Sequence, residues 1–123
     1  MRELTLFINR KSTDRNSRIV KKIIDIINER YFEDLSMEMF AQEVYLSPNY
    51  IRKIFKDETG QTILEYITQV RMKKAAEMMK DPSLKVADIS RNVGYESVSY
   101  FGQLFKQYFG VTPKEYMESV ENL

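Results

Sequence analysis

Along most of this chain apolar residues return every three to four positions, and the breaks between such runs carry helix-capping residues. Ile19, Val20, Ile23, Ile24, Ile26 and Ile27 predict a first helix, capped by Ser17 and ending near Arg30 or Tyr31. Their β-branched side chains favour strands, but Lys and Asp fall between them at helical intervals. Ser36 opens a second helix with Met39, Phe40 and Val44 on its apolar face. Ser47 followed by Pro48 starts a third, which runs to about Glu58 with Ile51, Ile54 and Phe55 inward and Gly60 as its C-terminal cap. Thr62 with Glu65 forms a capping box for a long fourth helix, roughly 62–80, stopped by Asp81-Pro82-Ser83. A fifth helix spans Val86 to Val93 and turns at Gly94. Ser97 caps a sixth, Gly110 ends it, and Thr112-Pro113 with Glu115 starts a short seventh. Residues 11–17 are polar and turn-like and read as a linker, and only Leu4–Ile8 is open to a strand reading. The predicted fold class is all-α, with seven helices.

The second half of this pattern repeats the first. Tyr45, Ser47, Tyr50, Phe55, Lys56, Gly60, Thr62, Glu65 and Tyr66 recur fifty positions later as Tyr95, Ser97, Tyr100, Phe105, Lys106, Gly110, Thr112, Glu115 and Tyr116. One supersecondary unit is used twice. In each copy two short helices flank a tight turn, and a steep crossing leaves room for only a small residue in the first helix. Ala41 takes that place in the first copy, with Phe40, Val44, Leu46, Ile51 and Ile54 around it. Ser90 takes it in the second, with Ile89, Val93, Tyr95, Phe101 and Leu104. The second copy has one extra residue between Val93 and Ser97. Gly94 supplies a left-handed turn at no steric cost, whereas Tyr45 stands at the corresponding point of the first copy, which predicts a different geometry or strain there. Each copy reads as a helix-turn-helix, so the chain divides into a first lobe (18–61), a linker helix (62–80) and a second lobe (84–123).

With no cysteine and no histidine among 123 residues, disulfides, thiolate zinc sites and histidine-dependent hydrolytic triads are all excluded. No catalytic constellation, metal site or cofactor motif is expected, and an enzyme is not. No apolar run approaches the ~18–20 residues of a membrane span, and the start lacks a signal-peptide pattern, so a cytoplasmic protein is expected. Net charge is only +1, but it is unevenly spread. Acids dominate from Glu29 to Glu43 and in the tail from Glu115. Bases dominate from Asn49 to Lys56 and from Arg71 to Lys80. Such a chain can present a positive side to a phosphate backbone.

Opposite the apolar stripe of the third helix lie Asn49, Arg52, Lys53 and Lys56. Asn49 suits adenine and Arg52 suits guanine, because each can make two bonds to one base edge, while Lys53 reaches a base or a phosphate. The sixth helix offers Ser99 and Gln103, with Val98 against a thymine methyl. Lys56, Lys106, Ser47 and Ser97 fit phosphate contacts, and the amide ends at Thr62 and Thr112 are anion sites. The competing reading is a solvated charged face on a helical protein-interaction module that binds no DNA. Arg71 shares a stripe with Leu64, Ile67, Ala75 and Met78, which calls for a partner, and Asp88 or Glu58 is expected. Met72, Met78 and Met79 read as core filler, as do the recurrent tyrosines and phenylalanines.

The run Ser47-Pro48-Asn49-Tyr50-Ile51-Arg52-Lys53-Ile54-Phe55-Lys56, then Gly60, Tyr66-Ile67, Arg71-Met72 and Ala75, resembles the first half of an AraC/XylS-type DNA-binding domain. Ile89, Val93-Gly94-Tyr95-Glu96-Ser97, Tyr100-Phe101, Phe105-Lys106, Gly110, Thr112-Pro113 and Tyr116 resemble the second half. The resemblance covers about Arg18 to Val120. It implies a two-lobe transcription factor domain whose third and sixth helices, about 48–58 and 98–109, enter successive major grooves of double-stranded DNA while the fourth joins the lobes. A helix of about 19 residues spans roughly 28 Å, against about 34 Å between adjacent major grooves, so an asymmetric site of two unlike half-elements is expected. The sixth helix departs from the family pattern, with Val98, Ser99, Gly102 and Gln103 where longer polar or basic side chains are common. Similar chains sit behind a receiver, a sugar-sensing barrel or a membrane sensor. Residues 1–17 then read as a tail from a missing upstream domain, RNA polymerase as a protein partner, and the bacterial nucleoid as the location.

Overall fold

The computed structural model describes the backbone of residues 2–121 and the side chains of residues 14–121. Among these residues all regular structure is helical: α1 Arg2–Arg30, α2 Met37–Val44, α3 Pro48–Thr59, α4 Ile63–Met78, α5 Val86–Asn92, α6 Val98–Phe109 and α7 Pro113–Glu121. The described chain forms two compact units. One comprises α1, α2, α3 and the start of α4 through Tyr66. The other takes Tyr31–Asp34 and the described residues from Ile67 onward.

The caps act as their residue types dictate. Ser36, Ser47 and Ser97 accept the amide N–H groups of Met39, Tyr50 and Tyr100 at 3.2, 3.3 and 3.1 Å. Thr62 and Glu65 bond reciprocally, Glu65 N–H to Thr62 Oγ1 at 3.1 Å and Thr62 N–H to Glu65 Oε2 at 3.3 Å, which satisfies two otherwise orphaned donors. Gly60 and Gly110 end α3 and α6 in the left-handed region, their N–H groups returning to the carbonyls of Lys56 and Lys106.

The first helix differs from its sequence reading. The backbone is helical through 11–17 and through Leu4–Ile8, because no glycine or proline interrupts residues 2–30 and the polar residue types between them lower helix stability only slightly. Ser17 is therefore no cap, and its hydroxyl donates to Glu58 Oε2 at 2.8 Å. The fourth helix is shorter than expected. Its 16 residues span roughly 24 Å, and past Met78 the chain tightens into Lys80 N–H to Glu77 O and Asp81 N–H to Met78 O turns.

In the first unit Val20, Ile23, Ile27, Phe40, Ile51, Ile54, Phe55 and Ile63 are buried. Phe55 meets Tyr66 edge to face with centroids 5.7 Å apart. In the second, Met72, Ala75, Met79, Ile89, Val93, Tyr95, Phe101 and Phe105 form one core, with Met78 and Tyr116 packed against it, so the methionines do fill space there. Ser90, the small residue of this corner, is wholly buried, and its hydroxyl donates to Tyr95 O at 3.1 Å. A buried hydroxyl without such a partner would be destabilising.

Candidate nucleic-acid interface

The left-handed residue that ends the first helix of each corner fixes how the next helix leaves. Tyr45 adopts φ 58° and ψ 40°, the sole positive φ outside glycine among the described residues, and Gly94 has φ 103°. The amide after each closes the same turn, Leu46 N–H to Ala41 O at 3.3 Å and Tyr95 N–H to Ser90 O at 2.9 Å. Before the corner the structural offset between copies is thus 49, pairing Tyr45 with Gly94 and Leu46 with Tyr95. The extra residue restores the offset of 50 from Ser47 onward. The Tyr45/Tyr95 identity is a coincidence of register: Tyr45 is 91% exposed whereas Tyr95 is core. Tyr50 and Tyr100 are also exposed, contrary to the core reading, because each lies one turn into its helix on the flank.

On α3 each residue advances roughly 100° about the axis, which gathers Asn49, Arg52, Lys53 and Lys56 on one face and Ile51, Ile54 and Phe55 on the other. All four polar residues are exposed, as is Ser47 at the start of the helix. Arg52 Nη1 donates to Asn49 Oδ1 at 3.0 Å, so the two side chains brace each other and the Asn49 amide donors remain available. The ends of this surface offer further donors. The hydroxyls of Ser47 and Thr62 accept backbone N–H groups and keep their own hydrogens to give.

On α6 the same face carries Ser99, Gln103 and Lys106, all exposed, with Val98 39% exposed in the first turn and Ser97 exposed at the cap. Thr112 is half-buried and accepts Glu115 N–H at 3.1 Å. Gly102 occupies the position that Arg52 holds on α3. The structure thus brings the predicted residues of α3 onto one surface and those of α6 onto another.

Two expectations about α4 fail. Leu64 is 72% exposed, because the buried positions at its start are Ile63, Ile67 and Val70. It borders a hollow with Met37, Arg52, Thr62 and Ile63. Among the described residues Arg71 has no carboxylate partner: its Nε donates to Tyr31 O at 2.7 Å, its Nη2 to Glu33 O at 2.8 Å, and its Cζ lies 4.9 Å from the Tyr95 ring centroid. Asp88 instead accepts Lys85 N–H and Arg91 Nη2, both at 3.0 Å, and the Lys85 amide foremost, then Arg91, holds its carboxyl below the ordinary aspartate value. Glu58 takes the Ser17 hydroxyl. Missed from the sequence was a second hollow lined by Arg15, Arg18, Lys22, Glu43 and Tyr45. Its one signal was the three bases at i, i+3 and i+7 (Arg15, Arg18 and Lys22), which begin in the stretch read as a linker rather than as helix.

No group of His, Cys, Asp or Glu among the described residues is arranged to hold a metal ion. A family model described as a helix-turn-helix domain matches residues 40–119. The chain is 34% identical over 112 residues to the Msm operon regulatory protein of Streptococcus mutans, covering 91% of this chain and 40% of that protein, so it spans well under half of that relative's length. The C-terminal domain of AraT, a response regulator from Geobacillus stearothermophilus, is similar with a TM-score of 0.79 at 32% identity, over 82% of this chain and 84% of that one. The DNA-binding domain of the transcriptional factor AdpA, solved in complex with a target DNA, has a TM-score of 0.76 at 19% identity, over 81% and 90% of the two chains, a likeness of fold alone.

Proposed function

The chain belongs to the AraC-type helix-turn-helix family of DNA-binding transcription regulator domains, and from that premise we propose that α3 and α6 read two successive major grooves of one duplex. Asn49, Arg52 and Lys53 on α3, and Val98, Ser99 and Gln103 on α6, face base edges in this reading. Ser47, Lys56, Thr62, Ser97, Lys106 and Thr112 hold phosphates. The observation that carries it is the division of α3 into a face of buried Ile51, Ile54 and Phe55 and an opposite, exposed face of Asn49, Arg52, Lys53 and Lys56. Asparagine and arginine on an exposed helical face match the two-bond geometry of purine edges, and the lysines match phosphate.

The domain acts in this reading as the output end of a larger signal-responsive regulator. Two observations support this: the chain spans 40% of the Msm regulator, and the similar AraT domain is the C-terminal part of a response regulator. An upstream sensory or receiver domain supplies the signal, RNA polymerase is the protein partner, and the chain performs no catalysis of its own. No described helix is long and apolar enough to cross a membrane, and we place the domain in the cytoplasm, at the nucleoid. Selection from random-sequence duplexes tests the reading. It should enrich an asymmetric site with two unlike elements about one helical turn apart, and log affinity should fall linearly with log salt as counterions are released. Affinity that ignores salt, with no sequence enriched, would overturn it in favour of a protein-interaction module.

A further inference from the structure

Three of the four glycines close turns at positive φ, and Gly102 does not. It lies inside α6, where glycine lowers helix stability relative to alanine. A β-carbon at this position would meet no heavy atom within 4 Å beyond its chain neighbours and helix backbone. Neither turn geometry nor packing asks for a glycine here. Four residues earlier, and so adjacent on the helix surface, stands Val98, an apolar side chain left 39% exposed. At the matching position of α3 stands Arg52, a long side chain suited to reach outward.

Resting on the DNA-binding reading above, we propose that Gly102 and Val98 form a recess that takes the methyl group of a thymine. The bare backbone at Gly102 lets α6 approach a base edge more closely than any side chain would allow, and Val98 supplies an apolar wall. The major-groove edge of the four bases carries one apolar group, the thymine C5-methyl, so an apolar recess selects thymine. The two recognition helices thereby differ in kind. α3 reads through extended hydrogen-bonding side chains, and α6 reads partly through close fit.

The test uses the duplex enriched by the wild-type chain, with each thymine in turn replaced by deoxyuridine, which lacks only the methyl. At one thymine the wild type should bind the deoxyuridine duplex about fourfold more weakly, the worth of one buried methyl. V98A should bind both duplexes alike. G102A should melt higher than wild type, by about 4 °C, yet bind the thymine duplex roughly tenfold more weakly and no longer distinguish it from deoxyuridine. Indifference of the wild type to every replacement would overturn the proposal. So would a G102A chain that discriminates like wild type, or one that melts lower and so shows that the fold needs this glycine. Failure of the wild type to enrich any sequence is a different result, which removes the premise and the proposal with it.

Discussion

The guanidinium of Arg71 lies 3.0 Å from the point where a β-carbon on Gly94 would stand. This contact ties α4 to the turn that launches α6. Arg71 also holds the carbonyls of Tyr31 and Glu33 and rests on the face of Tyr95, so one side chain gathers three separate stretches of the second unit. A planar, forked cation suits this better than lysine, since it can bond to two carbonyls while stacking on a ring. The charge is accommodated by backbone oxygens and an aromatic face.

Gly94→Ala meets two obstacles, a φ of 103° that L side chains rarely adopt and a guanidinium already in the space. We expect a loss of about 2 kcal/mol in urea unfolding. Arg71→Lys should cost a similar ~2 kcal/mol, because it keeps the charge and loses the fork. A Gly94→Ala chain as stable as wild type would show that the turn does not depend on this packing.

Tyr45 carries the opposite implication. Its backbone is left-handed and its side chain lies almost wholly in solvent, so the residue contributes strain without much packing. Tyr45→Gly should raise stability by about 1 kcal/mol, the usual cost of that conformation for a non-glycine less glycine's greater entropy loss. Thermal melts of the two chains check this, and an unchanged or lower midpoint would mean that the exposed ring makes a contribution the contacts do not reveal.

Ser47, Ser97 and the Thr62–Glu65 box were legible in the sequence because a cap is a local matter, settled within four residues. The same holds for the exposed faces of α3 and α6, which follow from helical phase once the buried stripe is known. What failed was non-local. The partners of Arg71 are carbonyls some forty residues away, and backbone oxygens leave no mark in a sequence. Leu64 looked like a core residue because only its type and phase were visible. Tyr45 and Tyr95 match in sequence but not in space, since one inserted residue shifts the register across the corner. The helical course of residues 11–17 was obscured by their polarity, which marks solvent exposure as readily as a loop.

Asp88 gives a pH-dependent signature. Its carboxyl is held below the ordinary value chiefly by the Lys85 amide and then by Arg91. A depressed folded-state pKa means that the group's contribution is complete above the unfolded value and is lost as pH falls through the folded one. Part of the acid destabilisation of α5 should therefore lie in that window, below the ordinary aspartate pKa. Asp88→Asn should remove this part while leaving behaviour at neutral and higher pH free of any new titration. Following the Asp88 carboxyl by NMR on acid titration checks the direction, and a value at or above the ordinary one would contradict the hydrogen bonds described.

Arg52 and Lys56 share one face of α3 but should fail differently when truncated. If Arg52 reads a guanine, Arg52→Ala costs about 1–3 kcal/mol on the enriched duplex and relaxes preference at one base pair. Lys56→Ala should cost less, equally on all sequences, and reduce the salt slope by about one. Folding should be spared in both, because each side chain is exposed and the Ile51, Ile54 and Phe55 stripe is untouched. The brace between Arg52 and Asn49 adds a further expectation. If Asn49 reads a base of its own, Asn49→Ala should alter preference there, and by removing the 3.0 Å bond that braces the guanidinium it should also weaken, without abolishing, the Arg52 preference. Selection from random duplexes with each variant separates these outcomes. Identical enriched sites for wild type and Arg52→Ala would remove Arg52 from the reading surface. A loss confined to one position for Lys56→Ala would make that lysine a base reader instead.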